Sequence, residues 1–130
     1  MSGRFREAGW LCLNNKDQIV LRKIQGHIES ILRYCEGIQS FQEFQSNSMR
    51  VEATVFNLMQ IGELAKESLS DEVKAQLTTI PWPQLYGMRN RIVHGYSGVN
   101  MNIVWDTIQM DLPELLSELQ AIQAGQAGVE

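Results

Sequence analysis

The stretch Leu21-Arg22-Lys23-Ile24-Gln25-Gly26-His27-Ile28-Glu29-Ser30-Ile31-Leu32-Arg33-Tyr34-Cys35 decides the fold. Its apolar residues Leu21, Ile24, Ile28, Ile31 and Cys35, followed by Ile38, recur at steps of 3, 4, 3, 4 and 3. An α-helix brings positions three and four apart to one side, so this spacing is one apolar helix face. Two further stretches repeat the pattern. Val51, Val55, Leu58, Gly62, Ala65 and Leu69 form one face, and Met101, Val104, Ile108, Leu112, Leu115, Leu119 and Ile122 form another. No stretch alternates with the period of two that a strand requires. The chain is therefore expected to be all-α, an antiparallel helical bundle of three long helices plus short ones.

The boundaries follow from capping and turn chemistry. Asn14-Asn15-Lys16-Asp17 opens the first helix and Gly37 ends it; Asn47 or Ser48 opens the second. Phe41 and Phe44 lie between them in a polar stretch expected to form a short turn or helix over the bundle. Ser70-Asp71-Glu72 caps a short helix to about Leu77. Pro81-Trp82-Pro83 breaks the chain and starts a helix that Gly95 ends. Asn100 caps the last helix, in which Pro113 should produce a kink or interruption near Gln109 to Leu112. Gly62, in a helix interior, implies close approach of a neighbouring helix, since it otherwise costs about 1 kcal/mol relative to Ala.

The 130 residues, 44% of them hydrophobic, fit one domain. Residues 14–123 are expected to form it. Residues 1–13 fit no periodic pattern and read as a disordered or non-native extension, and residues 124–130 as a frayed tail. No apolar run could span a bilayer, and the N-terminus lacks a signal-peptide core, so a cytoplasmic protein with no membrane partner is expected. Cys12 and Cys35 offer neither metal spacing nor a redox motif. Cys35 on the apolar stripe reads as a small buried hydrophobe. The net charge of −4 tells mildly against general nucleic-acid affinity, so any such function needs a local basic site.

One such spot exists, in Gly87-Met88-Arg89-Asn90-Arg91-Ile92-Val93-His94-Gly95-Tyr96. Histidine can move protons at a ribose hydroxyl or a leaving oxygen, and arginine can hold charge growing on phosphorus. Asn90 could orient the histidine or a phosphate, and Tyr96 could position phosphate or base. Taken singly, each residue also has a plainer role. His94 could cap the helix; Arg89 and Arg91 could be solvated or paired with Glu63 or Asp106; Tyr96 could sit at the core edge. On an ideal helix His94 lies about 140° from Arg89, so the two converge only if the helix distorts or ends near His94. Elsewhere, Glu63 is expected to pair with Lys66 on its own helix. His27 reads as structural or solvent-facing, and Trp82 and Trp105 as core or interface anchors. No zinc cluster, phosphate-binding loop or nucleophile elbow is present, which leaves metal-free chemistry without a cofactor.

The segment from Met88 to Tyr96 resembles the Arg-x-x-x-x-His-x-Tyr signature of HepT-like toxins of the HEPN superfamily. Ile61-Gly62-Glu63-Leu64-Ala65, Ile80-Pro81-Trp82, Val104-Trp105-Asp106 and Asp111-Leu112-Pro113 resemble further hallmarks of that family, in the same order. The resemblance runs from about Asn15 to Leu119. It implies a homodimeric helical bundle with two Arg/His sets around one cleft. It also implies a metal-independent endoribonuclease, the toxin of a toxin–antitoxin pair. Arg89 and His94 would be catalytic, with Asn90, Arg91 and Tyr96 binding or orienting the RNA substrate. The partner would be a minimal nucleotidyltransferase antitoxin that binds the toxin or AMPylates Tyr96. The competing expectation is a non-catalytic helical subunit supplying a substrate-binding surface to a nucleotidyltransferase. A blander third is a structural dimer, which an internally paired Arg89 and a buried His94 would support.

Overall fold

The computed structural model describes residues 13–78, 80–95 and 99–129, with side chains to residue 125. Those residues are helical almost throughout. Helix α1 spans Asn15–Tyr34, α2 Phe41–Gln45, α3 Ser48–Glu67, α4 Asp71–Gln76 and α5 Trp82–His94. Helix α6, Met101–Asp106, runs through a π-helical turn, Thr107–Asp111, into α7, Leu112–Val129. The three long helices are thus α1, α3 and the α6–α7 rod, with α5 a shorter fourth. The antiparallel bundle expected from the apolar repeats is what the chain forms.

Side chains satisfy the free N–H groups where the capping residues predicted. Asn14 accepts from the Asp17 amide at 2.7 Å, Asn47 from Arg50 at 3.1 Å and Asn100 from Asn102 at 2.9 Å. Ser70 caps α4 through the Val73 amide at 3.3 Å, and its own amide and hydroxyl donate to the buried Asp17 carboxylate at 3.0 and 2.8 Å. This contact ties the start of α1 to the end of α3. At mid-helix, His27 Nδ1 meets Asn57 Oδ1 at 2.7 Å, so His27 is a structural residue. Both contacts fix α1 antiparallel to α3.

The core fills from every apolar face. Ile24, Ile28 and Ile31 of α1, Ile61 of α3 and Leu112, Leu115 and Leu119 of α7 are all essentially inaccessible. Phe44 projects from α2 into this core and packs on Trp105 with ring centroids 5.3 Å apart. Trp82 is buried, its indole N–H directed at the Leu77 and Lys74 carbonyls. Cys35 is buried as expected, and burial pushes its thiol pKa up, away from reactivity.

Helices α3 and α5 approach closely at Gly62. A Cβ at Gly62 would lie 2.7 Å from the Arg89 Cβ and 3.1 Å from the Leu85 carbonyl oxygen, so only glycine lets α5 pack here. The expected close approach at Gly62 is therefore made by α5, and it seats Arg89 against α3.

The interruption expected near Gln109 to Leu112 is present, and the helix continues past Pro113. The irregularity lies just before it, as the π turn Thr107–Asp111, in which the Leu112 amide reaches back to the Thr107 carbonyl. The sequence explains this. Val104, Ile108 and Leu112 are two successive steps of four, and each overshoots an α-turn by about 40°. A wider turn absorbs the drift and keeps all three in the core. The helix then continues to Val129, past Ala124 where fraying was expected. The extension expected at residues 1–13 lies outside the described residues, except for Leu13, which packs against the core. No described helix is long and apolar enough to cross a membrane.

Candidate active site

Helix α5 carries the candidate residues. Pro83 sits in its first turn, Leu85 and Met88 face the core, and the helix ends at His94 because Gly95 takes φ 156°, a value side-chain-bearing residues rarely adopt. The intervening positions 89, 90, 91 and 94 are left to point elsewhere.

Arg89 points at α3. Its Nε donates to Glu63 Oε1 at 2.6 Å and its Nη1 to Asn90 Oδ1 at 2.8 Å. The expected Glu63–Lys66 pair is not formed. Glu63 reaches across to the neighbouring helix because Gly62 brings Arg89 close, and Lys66 is solvent-exposed. Arg89 is half-buried and held by two partners, and its Nη2 makes no hydrogen bond among the described residues.

His94 is exposed, and its Nδ1 lies 3.0 Å from the Asn90 carbonyl oxygen. A carbonyl can only accept, so this contact places the proton of the neutral ring on Nδ1 and leaves the Nε2 lone pair free toward solvent. The ring is thereby prepared to take a proton at Nε2. Asn90 links the two candidates, its side chain on Arg89 and its backbone on His94.

The helix stays regular through His94, so Arg89 and His94 remain on different sides of α5 and no hydrogen bond joins them. The helix does end at His94, one of the two conditions for convergence, but it is undistorted to that residue and leaves Arg89 and His94 apart within this chain. Of the pairings that the plainer reading offered, Arg89–Glu63 is made. Arg91 and Asp106 form no ion pair, although both line the same cleft between α5 and the α6–π segment. Tyr96 lies outside the described residues. Among those residues no three His, Cys, Asp or Glu side chains gather as a metal site.

Sequence reasoning missed that cleft. Its volume is about 440 Å3, and Gly87, Met88 and Arg91 from α5 face Ile103, Asp106 and Asp111 across it. Asp111 titrates above its ordinary value, chiefly because it is partly buried and further because Glu114 and Asp106 lie near it. The two consecutive steps of four in the last helix were the available signal for its irregular wall.

With the geometry in place, comparison with known proteins gives a consistent result. The family model described as "Ribonuclease HepT-like" matches residues 24–122, most of the chain. A protein of Caldanaerobacter subterraneus subsp. tengcongensis named "Putative RNase TTE0752" is 36% identical over 103 residues, which cover 74% of this chain and 90% of that protein. One from Methanocaldococcus jannaschii named "Putative RNase MJ1216" is 32% identical over 107 residues, 78% of this chain and 88% of that one. "Probable ribonuclease HepT" from Thermococcus cleftensis is 26% identical over 108 residues, 78% of this chain and 97% of its own length. No solved structure gives a significant match.

Proposed function

The chain belongs to the HepT-like ribonuclease family, and we propose that it is a metal-independent endoribonuclease in which His94 and Arg89 carry the chemistry. The observation that carries this reading is the His94 contact. An exposed imidazole whose Nδ1 is committed to a carbonyl offers Nε2 as general base. In the proposed reaction Nε2 takes the proton of a ribose 2′-hydroxyl, and O2′ attacks the adjacent phosphorus. The P–O5′ bond breaks to leave a 2′,3′-cyclic phosphate, and the departing O5′ takes a proton from a second imidazolium. Arg89, held at Nε by Glu63, keeps Nη2 to meet charge on the phosphoryl oxygens. Asn90 orients both groups, and Arg91 and Tyr96 bind or orient the RNA.

A homodimer supplies what one chain lacks. Arg89 and His94 diverge on a regular helix, and a second copy across a two-fold axis would add its own His94 and Arg89 to a shared cleft. Val93, 51% exposed beside His94, offers apolar surface for that contact. Several arginines in one groove would also offset the acidic total charge. The biological reading that goes with this is a cytoplasmic toxin, neutralised by a minimal nucleotidyltransferase antitoxin through binding or AMPylation of Tyr96.

The Arg89–Glu63 pair is the one observation favouring a non-catalytic role, either as partner subunit of a nucleotidyltransferase or as a structural dimer. The exposure of His94 opposes it. The test is to incubate purified wild type, His94→Ala and Arg89→Ala with total RNA in excess chelator, and to express each without any partner gene. Cleavage and growth arrest by wild type alone support the ribonuclease toxin. Intact RNA and normal growth with wild type would overturn it and leave the partner-subunit reading.

A further inference from the structure

We propose that the cleft between α5 and the α6–π segment is a guanine-binding subsite, which seats one base of the RNA beside His94. The proposal rests on the ribonuclease reading and adds to it a base preference and the residues that set it.

The position is the first argument. Arg91 lines the cleft and precedes His94 by three residues, so the two lie about 60° apart on α5 and one turn from each other. Arg89 faces the other way, into α3. A nucleotide whose ribose meets His94 can therefore drop its base toward Arg91 and into the cleft. The volume of about 440 Å3 suits a nucleoside, within the range of small-ligand pockets.

The lining selects the base. Met88, Val99 and Ile103 supply apolar surface, and Gly87 leaves the α5 side open, since a Cβ there would meet nothing within 4 Å. Bases recognised in single-stranded RNA sit against such surfaces and are read along their edges. Asp106 and Asp111 are acceptors that make no hydrogen bond or ion pair among the described residues, while Arg91 is a forked donor equally without an ion-pair partner there. Guanine alone among the four bases presents adjacent N–H donors at N1 and N2 together with paired acceptors at O6 and N7. A carboxylate takes the donor edge and arginine takes the acceptor edge. Adenine and cytosine offer a single exocyclic amine, and uracil a single N–H. A bare cation fits poorly beside Arg91.

The π turn makes this wall possible. On a regular α-helix Asp106 and Asp111, five positions apart, would diverge by about 140°. Across a π turn, whose hydrogen bonds run between residues five apart, they come to one side and both line the cleft.

Two measurements test the proposal. In the first, 5′-GMP, 5′-IMP and 5′-AMP are titrated into the protein while backbone amide signals are followed by NMR. In the second, short RNAs that differ only in carrying one guanosine, inosine or adenosine are cleaved by wild type, Asp111→Asn and Gly87→Leu. GMP should bind at least tenfold tighter than AMP, with IMP weakened by loss of the N2 amine, and should move the Gly87, Ile103 and Asp111 signals. Wild type should cut the guanosine substrate at least tenfold faster than the adenosine one. Both variants should bring that ratio toward one, Gly87→Leu by filling the cleft from a position where an added Cβ meets nothing within 4 Å. Equal affinity for GMP and AMP, or a preference that survives both variants, overturns the subsite. RNA cleavage without guanine preference would remove the subsite and leave the ribonuclease reading standing. GMP binding at the cleft by a protein that cuts no RNA would do the reverse.

Discussion

Glu63 on α3 holds Arg89 on α5, with Glu63 Oε1 2.6 Å from Arg89 Nε. The pair binds Arg89 only at one end of its guanidinium, and Asn90 occupies Nη1. The arginine is oriented by its neighbours, with part of the fork left for another partner.

Removing Glu63 should therefore affect catalysis more than stability. The pair is partly solvated, where such bridges contribute about 0–1 kcal/mol. Glu63→Ala should leave the denaturation midpoint within that range and lower kcat for RNA cleavage at least tenfold, with KM little changed. Equal kcat in the two proteins would show that Arg89 needs no such positioning.

Gly62→Ala should have the opposite balance. Alanine gains about 1 kcal/mol in helix propensity, but its Cβ would sit 2.7 Å from the Arg89 Cβ. Overpacking of this kind costs about 1–3 kcal/mol. Urea unfolding should show net destabilisation together with loss of RNA cleavage, because α5 must move outward and carry Arg89 with it.

Asp17→Ala tests the junction of α1 with α4. Asp17 is 3% exposed and accepts both the amide and the hydroxyl hydrogen bonds of Ser70. Losing a buried acceptor costs about 1–3 kcal/mol. The loss should appear as a lower Tm, with cleavage by the remaining folded protein intact.

Asp111→Asn should stabilise the protein at neutral pH. Burial and the nearby Glu114 and Asp106 raise the Asp111 pKa in the folded state. The folded chain therefore binds this proton more tightly than the unfolded chain. Stability from that proton is present in acid and is lost as pH rises through the interval above the ordinary carboxylate range. The variant should melt above wild type at pH 7, and the gap should close as pH falls below that range. A gap that is constant with pH would assign the effect to packing.

Much of the architecture was legible in particular residues. Leu21 through Ile31 named a helix by spacing alone, and Asn14, Asn47, Ser70 and Asn100 named the helix starts through their side-chain acceptors. Gly62 announced a close neighbour but not its identity, because which helix approaches is a tertiary fact. For that reason two partners stood open for Glu63, Lys66 on its own helix and Arg89 26 residues away, and the fold selects Arg89. The candidate chemistry at Arg89, Asn90 and His94 was visible as residue types. The hydrogen bond that assigns the His94 proton to Nδ1 was not, since it depends on the helix remaining regular to its last residue. The cleft left only the two steps of four as a mark of one wall, because its walls come from separate segments.

The wide turn at Thr107–Asp111 makes chain length between two landmarks a readable quantity. Removing one residue from it would restore ordinary helical winding and leave Val104 seven positions from Leu112, about 20° from the same face. Val104 would stay in the core, and the two carboxylates, now four positions apart, would still share one side of the helix. Seven residues separate Trp105 from Pro113 here. In related chains that interval serves as a ruler: one residue fewer would mark a protein whose last helix passes this point with ordinary α winding and no wide turn.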